Sequence, residues 1–302
     1  MGVFIMDVIN LSSKQFKSLD RLWLPNSVYN TEGEILLYED KDRWNKRVHL
    51  IKRLYINAGS VFSNKLATVN SVADYKDKIG IEEIVYPEKL LTVGGELKGF
   101  TMPYIPSINL KEVLSNPKTP ASVKIKYLKD IGTILEKMEE VRKYTDLDDF
   151  YLNDLHESNF IVDRGGTLRV IDIDSCKIAG NMPFCSKYLF KMNPLLTALP
   201  GKYHVSDMPC TGDFIANADS DIYCYIMTIL NTIFGREMHR LPMETFCDYL
   251  EYLRKIGVSQ ELVDVIMDIY SNKPNTNPKD LLDGLEPVFF KCHENVFRKA
   301  KK

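Results

Sequence analysis

Two acids and an amide stand in the middle of the chain at a spacing that suits phosphoryl transfer. Asn159 follows Asp154 by five residues, and Asp172 follows Asn159 by thirteen. Carboxylate and amide oxygens are ligands that Mg²⁺ accepts in proteins. A carboxylate on a neighbouring loop can in addition orient or deprotonate an acceptor hydroxyl. These residue types and spacings favour a phosphotransferase site over a chance group of solvated loop carboxylates.

A β-hairpin is predicted between the amide and the second acid. The runs 160–162 and 168–173 are apolar and β-branched, and Asp163-Arg-Gly-Gly166 between them supplies residues that tolerate positive φ. Because a hairpin brings its two ends together, the sequence predicts that Asn159 and Asp172 lie side by side and share a metal ion. Asp154, on the loop before the hairpin, would face the acceptor hydroxyl.

This segment resembles the catalytic loop of the protein kinase-like superfamily, D-x-x-x-x-N followed by a metal-binding aspartate. The resemblance implies that Asp154 is the catalytic aspartate and that Asn159 and Asp172 bind the metal. His156 stands two residues after the base, as histidine does in aminoglycoside phosphotransferases and many bacterial kinases, and would contact the γ-phosphate. Asp174 occupies the place of the usual glycine, where a second metal ligand and a surface or capping role are both open.

A strand at 47–54 carries a second family resemblance. Alternation places Val48, Leu50 and Lys52 on one face, and Arg53 on the opposite face, exposed to solvent. The strand is similar to the V-A-I-K strand of kinases, which implies that the Lys52 ammonium grips the α- and β-phosphates of ATP. The apolar residues of that face would lie over the base.

The connector 100–105 is similar to a kinase hinge. Met102 then takes the gatekeeper place, and adenine would bond to the carbonyl of Pro103 and the amide of Ile105. Proline has no N–H to lose at this position. The alternative is a plain linker without a bound base.

The chain also departs from the family. Gly33 is the single glycine between the first two strands, so the G-x-G-x-x-G phosphate loop is missing. Asn153 replaces the arginine before the base, which argues against activation through a phosphorylated loop, and no A-P-E triplet separates Asp172 from Asp221. The helix after Lys52 offers no clear glutamate partner. The candidates are Asp74, then Asp77 and the Glu82-Glu83 pair.

The predicted fold is α+β and bilobal, with a strand-rich N-lobe at 1–105 and a mostly helical C-lobe at 106–302. Asp221 would accept backbone N–H bonds from the catalytic loop, as the buried aspartate of kinases does. The helix at 122–144 is amphipathic and would pack under that loop. The strands are predicted at 27–29, 34–38, 47–55, 88–93 and 97–105, and the other helices at 64–79, 219–235, 244–256 and 260–269.

Composition agrees with an intracellular enzyme. The chain has 302 residues, 45% of them hydrophobic, which is enough for a large core. A net charge of −2 argues against nucleic-acid or membrane partners. The six cysteines form no C-x-x-C pair, and no apolar run reaches membrane-spanning length, so a cytoplasmic location is expected. The oligomeric state stays open.

The sequence therefore predicts an ATP- and Mg²⁺-dependent phosphotransferase. The first expectation is an atypical, bacterial-type protein kinase domain that transfers the γ-phosphoryl group to a Ser or Thr hydroxyl of a protein. One alternative is a pseudokinase that acts as a regulatory or binding module. Another is a kinase of small-molecule hydroxyls, or a kinase-like enzyme that transfers AMP.

Overall fold

The protein is described by a computed structural model at residues 6–22, 33–42, 45–55, 60–181, 218–235, 237, 243–255 and 260. Within these ranges the chain forms a six-stranded sheet, a three-stranded sheet and helices. This mixture agrees with the predicted α+β class. The predicted strand at 27–29 and most of the helix at 260–269 lie outside the described residues. No helix of the described part is both long and apolar enough to cross a membrane.

The larger sheet has the strand order β1-β5-β6-β4-β3-β2. Strand β1 runs parallel to β5, and all other neighbours are antiparallel. The sequence predicted β3 to β6 but neither β1 nor β2, nor the short helix α1 (Ser13–Lys17) between them. The strands are β1 (Val8–Leu11), β2 (Asp20–Arg21), β3 (Gly33–Asp42), β4 (Asn45–Leu54), β5 (Lys89–Val93) and β6 (Glu96–Pro103).

Strand β4 shows the predicted alternation. Ile51 packs with Leu36 and Leu91 on one face of the sheet, whereas Leu50 belongs to the apolar cluster on the other. Lys52 shares the face of Leu50 and is buried. Arg53 points to the opposite face as predicted, but it is only half-exposed because Nη1 binds Glu34 Oε1 at 2.5 Å.

The helix predicted at 64–79 is split in two. Helix α2 spans Ser60–Asp74, and the short α3 spans Lys76–Ile79 and ends at Gly80 with φ of 58°. Leu66 and Val69 of α2 pack in the same cluster as Phe100 of the sheet. Helix α2 therefore covers the face of the sheet that carries Lys52.

The second half of the chain begins with β7 (Ser107–Asn109) and α4 (Leu110–Ser115), followed by the long helix α5 (Ala121–Tyr144). Strands β8 (Phe160–Asp163) and β9 (Leu168–Val170) form the predicted hairpin and, with β7, the smaller sheet. The second strand is shorter than predicted, because a 3₁₀ turn occupies Ile173–Ser175. Helices α6 (Ala218–Phe234) and α7 (Met243–Lys255) follow.

The largest hydrophobic core surrounds α5. The apolar face of this helix is buried together with Leu152 and Leu155, which flank Asp154, and with Tyr225 of α6. The Tyr225 hydroxyl also donates to the carbonyl of Leu128 at 3.0 Å. The prediction that α5 packs under the loop that carries Asp154 is confirmed.

Candidate active site

The loop that carries Asp154 is fixed by a buried carboxylate of α6. Asp221 accepts the backbone N–H of Leu152 at 2.8 Å and that of Asn153 at 2.9 Å, which confirms the structural role predicted for it. Burial raises the pKa of Asp221 to about 6, while the two N–H groups act in the opposite direction. The Asn153 side chain donates to the carbonyl of Ser175 at 3.0 Å. Two hydrogen-bonded links therefore join the loop to α6 and to the segment after Asp172.

Asn159 is oriented by Asp154. Its Nδ2 donates to the backbone carbonyl of Asp154 at 2.8 Å and to the Asp154 carboxylate at 3.3 Å. Because an amide nitrogen must be the donor in both contacts, the assignment of the amide is fixed by its partners. The Oδ1 atom is then the one that can serve a cation.

His156 lies beside Asp154 and is buried at 7% exposure. Its Nδ1 accepts the N–H of Ser158 at 3.2 Å, so the proton of the neutral ring is on Nε2. Nε2 is 3.7 Å from Asp154 Oδ2. His156 therefore presents a donor to the same carboxylate that was predicted to orient the acceptor.

The hairpin brings Asn159 next to the second acid. Ile171 donates its N–H to the carbonyl of Asn159 at 2.9 Å, and Asp172 follows directly. Asp172 has a left-handed backbone, with φ of 66° and ψ of 37°, and its side chain keeps 30% of its surface exposed. Part of the Asp172 side chain is thus accessible beside Asn159, where a shared metal was predicted, while the rest is buried against Lys52.

Lys52 binds two acids that follow β9. Its Nζ contacts Asp172 Oδ1 and also Asp174 Oδ1, the latter at 2.7 Å. The helical partners proposed from the sequence are wrong: Asp74, Asp77 and Glu82 are exposed, and Glu83 binds Lys137 at 2.5 Å. The physical reason is that helix α2 places a lysine, and not an acidic residue, next to this site.

That lysine is Lys65 of α2. Its Nζ donates to Asp174 Oδ2 at 3.0 Å and to Ser175 Oγ at 2.9 Å. Asp174 is wholly buried and has one oxygen bound to each lysine, so the surface role considered for it is wrong. The same contacts argue against a second metal on Asp174. Sequence reasoning missed Lys65, because a lysine in a helix after a strand is usually solvated.

The electrostatics of this cluster follow from burial and pairing. Burial alone would raise the pKa of Asp174, but Lys52 and Lys65 hold it well below its usual range. Burial raises the pKa of Asp172 to about 6, against the attraction of Lys52. Burial would lower the pKa of Lys52, but the two acids raise it above its usual value, so the ammonium stays charged.

The connector after β6 continues the pairing with β4 by one residue. Tyr104 donates its N–H to the carbonyl of Val48 at 3.3 Å, which continues the β4–β6 ladder. Since groups alternate along an antiparallel strand, the carbonyl of Pro103, the last residue of β6, is directed away from β4. Met102 and Ile105 pack in one apolar cluster with Leu50. The predicted hinge residues therefore adjoin one apolar surface.

The donor set fits a Mg²⁺ ion that is completed by substrate and water. Among the described residues, no group of three or more His, Cys, Asp and Glu side chains forms a metal site. Asp154, Asn159 and Asp172 line one small pocket. Mg²⁺ commonly binds one or two protein oxygens together with phosphates and water, so an amide and an accessible carboxylate are sufficient.

Comparison of the sequence with protein-family models and with curated proteins gives no match.

Proposed function

We propose that this protein is an ATP- and Mg²⁺-dependent phosphotransferase with a bilobal, protein kinase-like fold. The acceptor in this proposal is a Ser or Thr hydroxyl of a protein. The observation that carries the proposal is the convergence of Lys52 and Asp172, which are 120 residues apart in sequence and in direct contact. Asp154 and Asn159 adjoin Asp172 in the same pocket.

The roles of the residues follow from their positions. Asn159 Oδ1 and the exposed part of the Asp172 carboxylate would hold Mg²⁺, which neutralises charge on the phosphates when it is bound. Lys52 would exchange part of its contact with Asp172 for the α- and β-phosphates. The Pro103 carbonyl and the Ile105 N–H would bond to adenine above Leu50 and Met102.

The acceptor hydroxyl would approach Asp154. Asn159 Nδ2 donates to its carboxylate at 3.3 Å, and the Nε2 atom of His156 lies 3.7 Å from the same oxygen. A carboxylate so held can accept the hydroxyl proton, or hydrogen-bond to the hydroxyl, while the oxygen attacks the γ-phosphorus. In this step the bond from the γ-phosphorus to the β,γ-bridging oxygen breaks, ADP leaves, and the new P–O bond forms on the acceptor.

A nucleotide-binding pseudokinase is the second candidate. The absence of a glycine-rich phosphate loop from the sequence favours it, because that loop supplies backbone N–H groups to the phosphates. Against it, the base position, the metal-binding positions and the lysine are all present and adjacent.

Labelled ATP distinguishes the candidates. The purified chain is incubated with Mg²⁺ and γ-labelled ATP, and separately with α-labelled ATP, alone and with protein and small-molecule hydroxyl acceptors. Transfer of the γ-label to a Ser or Thr residue supports the proposal, whereas transfer to a small molecule supports the alternative acceptor. Transfer of the α-label indicates AMP transfer. Nucleotide binding without any transfer supports the pseudokinase, and no nucleotide binding overturns both candidates.

A further inference from the structure

A polar stripe of α2 docks on the segment that follows Asp172. Lys65, Thr68 and Ser71 recur every three residues, so they lie along one side of the helix. Lys65 binds Asp174 and Ser175, the Thr68 hydroxyl is 3.4 Å from the carbonyl of Cys176, and Ser71 Oγ accepts from Asn181 Nδ2 at 3.1 Å. Of these three, Lys65 alone brings a charge to the interface.

The charge of Lys65 matters because the cluster of Lys52, Lys65 and Asp174 is buried. Lys52, Lys65 and Asp174 are exposed by 3% or less, and Asp174 has one oxygen on each lysine. A buried carboxylate that loses its counter-ion is strongly destabilised. If Lys52 moved toward a phosphate, Asp174 would still have Lys65.

We propose that Lys65 is a positioning residue that frees Lys52 for nucleotide phosphates by serving as the permanent counter-ion of Asp174. In the family that the chain resembles, a helix acid fixes the strand lysine. Here the helix supplies the cation, and the acid comes from the turn after β9. This inference rests on the proposed function, because it concerns how the same site binds ATP.

The proposal predicts how each charge change alters nucleotide binding. Without Lys65, the two aspartates share Lys52 and hold it more tightly. The Lys52 ammonium then binds a nucleotide phosphate less strongly. The remaining carboxylate charge also repels the phosphates. When Asp174 is neutralised together with Lys65, the charges of Lys52 and Asp172 balance again. A buried pair can be replaced at little cost, although breaking it is costly.

The test is a double-mutant cycle on nucleotide affinity. The Kd of ADP with Mg²⁺ is measured by calorimetry, well below the melting temperature, for wild type, Lys65→Met, Asp174→Asn and the double variant. We expect Lys65→Met to weaken binding about tenfold or more, and the double variant to return to within about threefold of wild type. In turnover, Lys65→Met should raise KM for ATP more than it lowers kcat. Lys65→Gln, which keeps a donor without the charge, serves if Lys65→Met does not fold.

Two control variants separate charge from packing. Thr68→Val removes a hydrogen bond of the same interface without changing charge. Lys124→Met removes a lysine that is equally buried, at 5% exposure, but lies on α5. Both should bind ADP within about twofold of wild type, because electrostatic coupling is carried by the neighbouring charges.

The outcomes separate this inference from the proposed function. Wild type that binds no nucleotide overturns both. Wild type that binds while Lys65→Met binds equally well overturns the role of Lys65 alone, even if the variant melts at a lower temperature. A double variant as weak as Lys65→Met also overturns it, because Lys65 would then not act through Asp174.

Discussion

Asn153 and Asp172 have backbone conformations that residues other than glycine rarely adopt. Their φ angles are 61° and 66°. Such left-handed residues cost about 1–2 kcal/mol each, although Asn and Asp tolerate them better than most. Asn153 is held by Asp221 and Ser175, and Asp172 by Lys52. Two of the three left-handed non-glycine residues among those described, all but Ala179, thus lie on the loops that supply the proposed base and metal ligand.

The carboxyl of Asp172 should make the proposed metal binding sensitive to mild acid. Its pKa is raised to about 6 by burial, and a protonated carboxyl does not bind Mg²⁺. The Mg²⁺-dependent part of ATP affinity should therefore be largest above pH 7 and fall by about tenfold per pH unit below pH 6. Calorimetric titrations between pH 5 and 8 check this. Asp172→Asn is the control and should bind weakly, without this pH dependence; a wild-type profile that is flat through pH 6 would contradict the assignment.

We expect Asp154 to be needed for phosphoryl transfer but not for nucleotide binding. Its carboxylate contacts Asn159 and His156, whereas Lys52 contacts Asp172 and Asp174. Asp154→Asn should therefore fold, keep its stabilisation by ATP, and transfer phosphate about 10²-fold more slowly. Thermal melts and phosphate-transfer rates measure the two properties separately. A biological activity of the protein that survives Asp154→Asn unchanged would remove the catalytic role.

The sequence predicted the residues whose partners are close in sequence or set by a hairpin. Asn159 and Asp172 are brought together by β8 and β9. The role of Asp221 followed from the family resemblance, because its partners Leu152 and Asn153 are 69 and 68 residues away. The sequence did not predict that Lys52 and Lys65 both bind Asp174, because Asp174 is 122 and 109 residues away from them and each residue is ordinary in isolation. Only the docking of α2 on the turn after β9 gives Lys65 and Asp174 their role.

Strands β4 and β6 approach each other closely beside Lys52. Gly99 lies opposite Arg53, and a β-carbon there would overlap the carbonyl oxygen of Lys52. The position therefore requires glycine for space rather than for an unusual φ. The ladder that orients Lys52 depends on this contact.

Gly99→Ala should disturb the site as well as the fold. Relief of the overlap would displace β4, which costs about 1–3 kcal/mol of stability and moves the Lys52 ammonium. Gly95→Ala is a matched control in the turn between β5 and β6, because its φ is 86° but no atom lies within 4 Å of an added β-carbon. Denaturant unfolding and ATP titration should show both variants destabilised and Gly99→Ala alone weakened in ATP binding. Equal ATP affinity for the two variants would show that the contact does not position Lys52.

Elements with strong local patterns were predictable, and those that depend on pairing were not. Strands β3 to β6 and helix α5 follow from alternation and amphipathic period. Strand β1 is four residues long and owes its place to parallel pairing with β5, from which it is separated by almost eighty residues. The break between α2 and α3 and the 3₁₀ turn after β9 are likewise set by packing, since the apolar pattern continues through both.

The proposed site lies where the two halves of the chain meet. Val85 and Val170 are joined by a backbone hydrogen bond of 2.9 Å, and Lys52 of the large sheet reaches the acids after β9. Helix α2 contributes Leu66 and Val69 to the cluster at the sheet and Val72 to the core around α5. The two halves are thus joined by apolar packing, backbone pairing and buried charges.

A nucleotide bound at this junction should stabilise both halves together. ATP with Mg²⁺ binds groups from β4 and from the loops around β8 and β9, so one calorimetric transition should move to higher temperature. A ligand specific for the folded state adds RT ln(1 + [L]/Kd), or about 2.7 kcal/mol at one hundred times Kd. Differential scanning calorimetry with millimolar ATP, with and without Mg²⁺, measures the shift. Asp172→Asn should lose the part of the shift that requires Mg²⁺, and a wild-type melting curve unchanged by ATP and Mg²⁺ would exclude a nucleotide site at the junction.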